Sequence, residues 1–497
     1  MAGLSLLTRR AQVLHGLNLA TMTALGIAET AVVQRVLTEG PFTALWGLVY
    51  LDALSAFILL IITAIGLTCS LYTWSYLDEY VARGAISPRR LSRFFVLFHL
   101  FLFAMIAATS VNNLGVLWVA VEGTTLATTF LIAFFRKREG LEAGWKYLIL
   151  CSVGIALALF GTVLTYYSSV RVFGDVSAAL NVTTLEEAAG RLDPHVLKLA
   201  FLFILVGYGT KIGLAPMHTW VPEAYGEAPA PVTAMLAGVL ETVAVYAVLR
   251  SKAVMDHALP AEFTGNLLMV FGLLSFVVAA LFILLQRDYK RLFAYSSVEH
   301  MGVAMVGFGV GGPVGTFGGL FHLLNHALAK SLAFFSAGNV HRRFGTREID
   351  QVRGLAAVQP LTAAALLVAG LALVGMPPFS MFMSEVMIVS ALANQDFASD
   401  TLHLGRFLTI TMTDDVRGLA IVTLFLVFAV ALFGGFMSRV VAMVWGAPPD
   451  GVKRGEGWEI GHVSLLLTIA ALVGLGMAMP DPMKGLVDRA VSVLLRE

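Results

Sequence analysis

Residues 200–240 read AFLFILVGYGTKIGLAPMHTWVPEAYGEAPAPVTAMLAGVL. An apolar run carries a lone Lys211, breaks into GLAPMHTWVPEAYGEAPAP and then resumes as a second apolar run. A lysine inside a membrane-length hydrophobic run costs about 2.5–3.5 kcal/mol even on lenient insertion scales, so Lys211 is not expected to face lipid. Gly213, Pro216 and Pro222 interrupt the backbone beside it. At membrane depth such a break is tolerated only against protein or a water-filled cavity. Together these two costs point to a polar route through a bilayer.

The rest of the chain supplies the bilayer. Of 497 residues, 58% are hydrophobic and only 13% charged, and the mean hydropathy is +0.83. Soluble domains carry about 25% charged residues. The number of long apolar runs predicts an all-α polytopic membrane protein rather than a barrel. A net charge of +1 gives no field to steer nucleic acid, so the expected surroundings are lipid and other membrane subunits. Cys69 and Cys151 lie in apolar stretches without a CxxC or a His/Cys cluster, which suits buried free thiols better than metal ligands. No motif for an iron–sulfur centre, haem or flavin occurs, so no cofactor and no redox chemistry are expected in this chain. The start, MAGLSLLTRRAQVL, does not read as a cleaved signal peptide, because its arginines follow the first short apolar run.

Apolar stretches of spanning length fall at 13–33, 51–75, 91–110, 112–134, 143–167, 196–216, 230–250, 263–287, 293–309, 316–338, 357–393, 417–443 and 461–480. The stretch 357–393 contains GMPPFS at 375–380 and is taken as one interrupted helix, which gives 13 crossings. On that count, loops on one side collect Arg9 and Arg10, Arg83 to Arg93, Arg136 to Arg138, Arg287 to Arg291, Arg342 to Arg353, and Lys453 with Arg454. The opposite loops, such as 168–195 and 394–416, mix acids with few bases. The positive-inside bias therefore puts the N-terminus in the cytoplasm and the C-terminus outside, in a cell inner membrane. The breaks after Lys211 and before Glu385 lie about 170 residues apart and suggest two related halves, each with a broken helix.

Ionisable groups within these stretches are the candidate machinery. Glu122 sits mid-span, either as a protonated, hydrogen-bonded carboxyl or as a proton acceptor and partner for a lysine. Burial favours the neutral form of such groups and an opposite charge the ionised form, so a Glu–Lys pair can trade a proton. Lys211 suits a group that loads and releases a proton. Glu241 lies halfway along its span, and Glu385 follows the second break. His322, His326 and Lys330 recur every four residues, on one helical stripe with about 6 Å per step. Imidazoles make a natural relay; the two histidines lack an HExxH motif or a nearby third ligand for zinc. A secondary set comprises Glu142 and Lys146, readable as a helix-end pair, His218, which either relays protons or bonds the freed backbone, and Glu223, Glu299 and His300.

At these residues the sequence resembles the antiporter-like subunit family of respiratory complex I, Mrp sodium/proton antiporters and membrane-bound nickel–iron hydrogenases. The resemblance is carried by WVAVEGTTLATTFLIAF at 118–134, GYGTKIGLAPMHTWVPEAYGEAPAPVTAMLAG at 207–238 and DYKRLFAYSSVEHMG at 288–302. FHLLNHALAKSLAFFSAGNV at 321–340 and GMPPFSMFMSE at 375–385 complete it. WKYLILCSVGIALALFGTVL at 145–164 and GEAPAP at 226–231 resemble the hydrogenase-4 component F branch. The resemblance implies 14 helices with two inverted five-helix repeats and a mid-membrane proton path. It maps onto N-terminal helices over 1–90, a first repeat over 91–250, a second over 263–443 and a C-terminal loop and helix over 444–497. It assigns the essential glutamate to Glu122, the broken-helix lysine to Lys211, the relay to His322, His326 and Lys330, and the terminal group to Glu385.

Three departures stand out against that pattern. Glu241 takes the place of a central lysine, Tyr225 stands where relatives have a histidine, and the count of 13 leaves a first family helix missing. The lateral arm of the largest complex I subunit is not expected after 461–480. The implied function is a proton-translocating subunit of a hydrogenase-linked complex. Its NiFe and iron–sulfur centres would sit in partner subunits, beside other antiporter-like or quinone/hydrogenase-anchor subunits and a peripheral redox arm. A complex I pumping subunit and a cation/proton antiporter subunit are the alternatives.

Overall fold

The computed structural model describes residues 2–174, 178–394, 401–404, 408–411 and 414–495. It is an all-α polytopic membrane protein whose only strands, among the described residues, form two short hairpins in loops, Phe42–Ala44 with Val49–Leu51 and Thr401–Leu404 with Leu408–Thr411. After a short helix over Ala2–Leu7, the long helices begin with α1 (Ala11–Glu39), α2 (Ala53–Ala82), α3 (Pro88–Ser110), α4 (Leu114–Ile132) and α5 (Arg138–Phe173). Next come α6 (Pro194–Ile212), α7 (Trp220–Glu227) and α8 (Ala230–Met255). The second half is built from α9 (Ala261–Ile283), α10 (Tyr289–Val310), α11 (Gly312–Phe344), α12 (Pro360–Leu373), α13 (Ser380–Ala393) and α14 (Asp414–Val444). The chain closes with α15 (Gly461–Met477) and α16 (Asp481–Leu495).

Short polar side chains set where several helices start. Asp52, Asn113, Asp193 and Asp288 each accept hydrogen bonds from backbone N–H groups of the first turn of α2, α4, α6 and α10. Each thereby satisfies donors that the helix itself leaves unpaired. Where α5 crosses α6 the backbones nearly touch. A Cβ on Gly207 would overlap the Ala158 backbone, and one on Gly154 would overlap Thr210.

Among the described residues, nine helices are long and apolar enough to cross a membrane, or ten if the bent pair α15–α16 counts as one span. The expected 13 crossings are therefore not established by length and composition. Each expected stretch falls on a helix, but α12 and α13 are short, and α10 and α11 carry the polar stripe. α8 lies at the centre, with its whole apolar window buried, whereas α1 and α14 are peripheral. α16 bends 73° from α15 and lays Leu486, Val487, Ala490, Val491 and Leu494 against the bundle.

The basic loops gather at one end. Arg136, Lys137, Arg287, Lys290 and Arg347 line a shared cavity of about 630 Å³ with Glu139, Glu227 and Asp288. Arg343 reaches the carbonyls of Lys453 and Gly455 beside them. Of the long opposite loops, residues 175–177, 395–400, 405–407 and 412–413 lie outside the described residues.

Candidate functional site

The break that dominates the sequence is a broken helix. α6 ends at Gly213, in the left-handed conformation at φ +84°, and the chain turns through Leu214–Thr219 before α7 resumes. Lys211, in the last turn of α6, is completely buried. Its ammonium donates to Thr125 Oγ1 at 2.8 Å and to Tyr147 OH at 2.6 Å. Thr125 in turn donates to Glu122 Oε2 at 3.0 Å, and Ser152 donates to Oε1 at 3.0 Å. Glu122 and Lys211 are thus joined through a hydroxyl rather than as a direct ion pair. Tyr147 OH sits 2.7 Å from Thr128 Oγ1, which is already committed as a donor to the Thr124 carbonyl. The phenol therefore accepts from Lys211 and donates to Thr128.

An aromatic segment follows. The Trp220 ring packs edge-on against both Tyr147 and Tyr225, with centroids 4.9 and 5.8 Å away, while its N–H is tied to the Thr210 carbonyl at 2.7 Å. Beyond it, Tyr225 donates to Glu241 Oε1 at 2.5 Å. Tyr225 is thus a direct partner of the central carboxyl.

Glu241 is fully buried at the centre of α8. Just before it, Leu236–Leu240 form a single π-turn, a local irregularity often found at functional sites. Gly238 lets α8 approach α11 so closely that a Cβ would lie 3.1 Å from the Ala327 carbonyl. Across this contact His326 Nε2 lies 3.1 Å from the Ala237 carbonyl and 3.2 Å from Glu241 Oε2. A carbonyl only accepts, so Nε2 carries the hydrogen.

The predicted stripe on α11 is present and buried. Lys330 donates to the Phe293 carbonyl at 2.8 Å and to Ser296 Oγ, and Glu241 and Glu299 are its acidic neighbours. His300 on α10 stands between His322 and His326, with ring centroids 5.2 and 5.6 Å away. His322 Nδ1 meets Ser384 Oγ at 3.0 Å. Among the described residues no group of three or more His, Cys, Asp or Glu is placed to hold a metal ion.

The second break mirrors the first in placement. α12 stops at Leu373, the chain turns through Gly375 at φ +64°, and α13 brings Glu385 back against that glycine. The structure lines up Lys211, Glu241, Glu299, His300, His322, His326 and Lys330 as a buried series across the bundle, with Glu122 and Glu385 partly exposed at its two ends.

Glu142, Lys146 and Glu223 sit apart from it. Lys146 bridges Glu142 at 2.8 Å and Glu223 at 2.9 Å at the half-exposed rim of the basic end, where Arg291 lies 3.7 Å from Glu223. Exposed pairs of this kind contribute little to stability, because water and salt screen them. His218 is buried beside the first break, with Phe282 and Tyr295 as its ring neighbours. The hydroxyls of Thr125, Tyr147 and Ser152 were not singled out in the sequence, where nothing separates them from ordinary helix residues.

The chain matches the family described as NADH:quinone oxidoreductase/Mrp antiporter, transmembrane, over residues 111–413. It is 42% identical over 343 residues to the hydrogenase-4 component F homolog of Methylacidiphilum infernorum (isolate V4), covering 68% of this chain and 71% of that protein. It is 33% identical over 350 residues to hydrogenase-4 component B of Escherichia coli (strain K12), covering 67% of this chain but 49% of that longer protein. A chain of the Mrp complex from Dietzia sp. DQ12-45-1b superposes with a TM-score of 0.81 over 99% of this chain and 95% of that one. At 21% identity that likeness speaks for the fold alone. The chain belongs to the NADH:quinone oxidoreductase/Mrp antiporter transmembrane family.

Proposed function

We propose that this chain is the proton-translocating, antiporter-like subunit of a membrane-bound redox complex of the hydrogenase-linked kind. The observation that carries the reading is the series from Glu122 through Lys211, Glu241 and the α11 stripe to Glu385, buried through its middle and partly exposed at its two ends. It joins two broken helices through the centre of the bundle. Buried ionisable groups are a standing cost to a membrane fold, and proton relays are a use that retains them. The relatives named hydrogenase-4 component F and component B support the hydrogenase branch.

In this reading, Lys211 stores a proton and Glu122 sets its charge balance through Thr125. Tyr225 and Glu241 pass the proton to the second half, and the histidine stripe with Lys330 carries it towards Glu385. The basic end faces the cytoplasm, by the positive-inside rule. The large cavity there, floored by Lys290 and His341, is the cytoplasmic mouth. The N-terminus is then cytoplasmic and the C-terminus external. NiFe and iron–sulfur centres belong to partner subunits, which pass on the energy of electron transfer. Purification of the native complex with identification of its subunits, combined with proton uptake by inverted vesicles, tests the reading. Hydrogenase subunits and donor-dependent uptake without sodium are expected. Uptake that requires sodium, or a partner set without redox subunits, would overturn it in favour of an antiporter.

A further inference from the structure

Glu299 on α10 and the partly exposed Glu385 on α13 line one small cavity, whose other walls are Leu373 and Val374 at the end of α12 and Phe276, Phe425 and Phe433. Its volume is about 20 Å³, enough for a single water. Glu299 is only 8% exposed. Among the described residues, neither carboxyl has a hydrogen-bonding partner on the protein. The backbone of the second break packs directly on Glu385, since a Cβ on Gly375 would overlap Oε2. Lys330 is the cation within electrostatic reach of Glu299, and Glu299 is the charged neighbour of Glu385. His322, by contrast, touches α13 at Ser384.

Two carboxylates across one water-sized space with apolar walls repel each other too strongly for both to be ionised. With one proton between them, each oxygen pair gains a partner and only one charge remains to be stabilised. We propose that Glu299 and Glu385 form a carboxyl–carboxylate pair that shares one proton through a single water, and that this pair is the last proton store before outward release.

The proposal rests on the proton-translocation reading above and adds Glu299 as a catalytic residue of the outer half. A proton leaving the Lys330 ammonium binds the remaining carboxylate, giving neutral lysine and two neutral acids. Release of one proton outward restores the pair to a net charge of −1, and no electrons move. The titratable groups around the pair are Lys330 and His322 from α11 and His300 beside Glu299 on α10. α9, α12 and α14 present only apolar side chains to the cavity.

The test compares Glu299→Gln, Glu385→Gln, the double variant and Glu299→Asp in the native complex. Two quantities are read: protons moved per electron in vesicles across pH, and the infrared carboxyl band of the purified complex during acid–base titration. Each glutamine variant should lower pumping about tenfold or more, with the double no worse than either single. The Glu385 band should titrate at a different pH in Glu299→Gln, and Glu299→Asp should keep the coupled titration if the glutamine variant assembles poorly. A Glu385 band that titrates identically with and without the Glu299 carboxyl, or losses that multiply in the double variant, would overturn the pair. The infrared titration needs no transport, so a wild-type complex that moves no protons defeats the functional reading while leaving the pair to be decided separately.

Discussion

Asp52 and Arg250 form an ion pair at the end of the bundle away from the basic loops, and both side chains are 1% exposed. Arg250 grips the carboxylate with both Nη atoms, one of them at 2.6 Å from Oδ2. It also donates to Ser55 Oγ at 2.9 Å and to Tyr246 OH at 3.0 Å. Tyr246 in turn donates to the Thr109 carbonyl at 3.0 Å, which ties α8 to α3. Arg250 lies on α8 about 14 Å beyond Glu241 at the helical rise of 1.5 Å per residue, so this clamp sets the position of the helix carrying the central carboxyl.

Breaking such a pair leaves an uncompensated buried charge, at a cost of about 3–5 kcal/mol, whereas replacing both partners with neutral side chains is often close to neutral. Asp52 also caps α2 through Ser55 N at 2.9 Å, and asparagine keeps that cap. Asp52→Asn and Arg250→Met should therefore each lower the thermal midpoint and membrane abundance of the chain sharply. The double variant Asp52→Asn/Arg250→Met should recover most of the loss. Midpoints and abundance measured side by side in one membrane background check this ordering. Singles as stable as wild type, or a double as unstable as the singles, would refute the argument.

Gly375→Ala should cut pumping about tenfold or more while the complex still assembles, because a Cβ there overlaps the Glu385 carboxyl and the backbone sits at φ +64°; vesicle proton uptake with subunit blotting checks it. Tyr225→Phe removes the 2.5 Å donor to Glu241, a buried hydrogen bond contributing about 0.5–1.5 kcal/mol, and should slow coupled pumping by roughly two- to tenfold without affecting assembly. Trp220→Ala opens the aromatic packing between Tyr147 and Tyr225 and should raise the passive proton leak of vesicles made without donor.

A pH effect is expected in the loop between α14 and α15. Burial tends to raise the pKa of Glu456, but bonds from His462, the Thr362 hydroxyl and amide, and the Leu361 amide together hold it below the ordinary glutamate value. A lowered folded-state pKa means the unfolded chain binds more protons in the acid range, so stability rises with pH there. The contribution is complete above the usual carboxylate range and lost as the pH falls below it. Glu456→Gln should flatten the acid side of a stability–pH profile.

The sequence showed the broken helices because their signals are local: a lysine in an apolar run, glycines and prolines beside it, and histidines at helical spacing. It placed Lys211, Glu241, His326 and Lys330 in the interior for the same reason, since an ionisable residue in such a run has nowhere cheap to go. It did not show which groups meet. Tyr147 and Ser152 reach the Glu122–Lys211 centre from α5, and Thr125 meets Lys211 across 86 residues of chain, contacts whose range leaves no mark on spacing. Tyr225 read as a gap in the relay because its role depends on the facing position of Glu241. Arg250 stands at the end of its apolar run, and its partner Asp52 lies 198 residues earlier in the chain, a separation that no spacing rule connects. Glu142, Lys146 and Glu223 were placed with the relay on charge alone, and their half-exposed positions at the rim come from how the helices pack.

The central claim is that Lys211 carries the translocated proton, and Lys211→Met in the native complex tests it most directly. Methionine fills the buried site with a neutral, flexible side chain, so the complex should assemble and keep its electron transfer. Donor-dependent proton uptake by inverted vesicles should fall by about tenfold or more. Wild-type uptake per electron in the fully assembled variant would contradict the account.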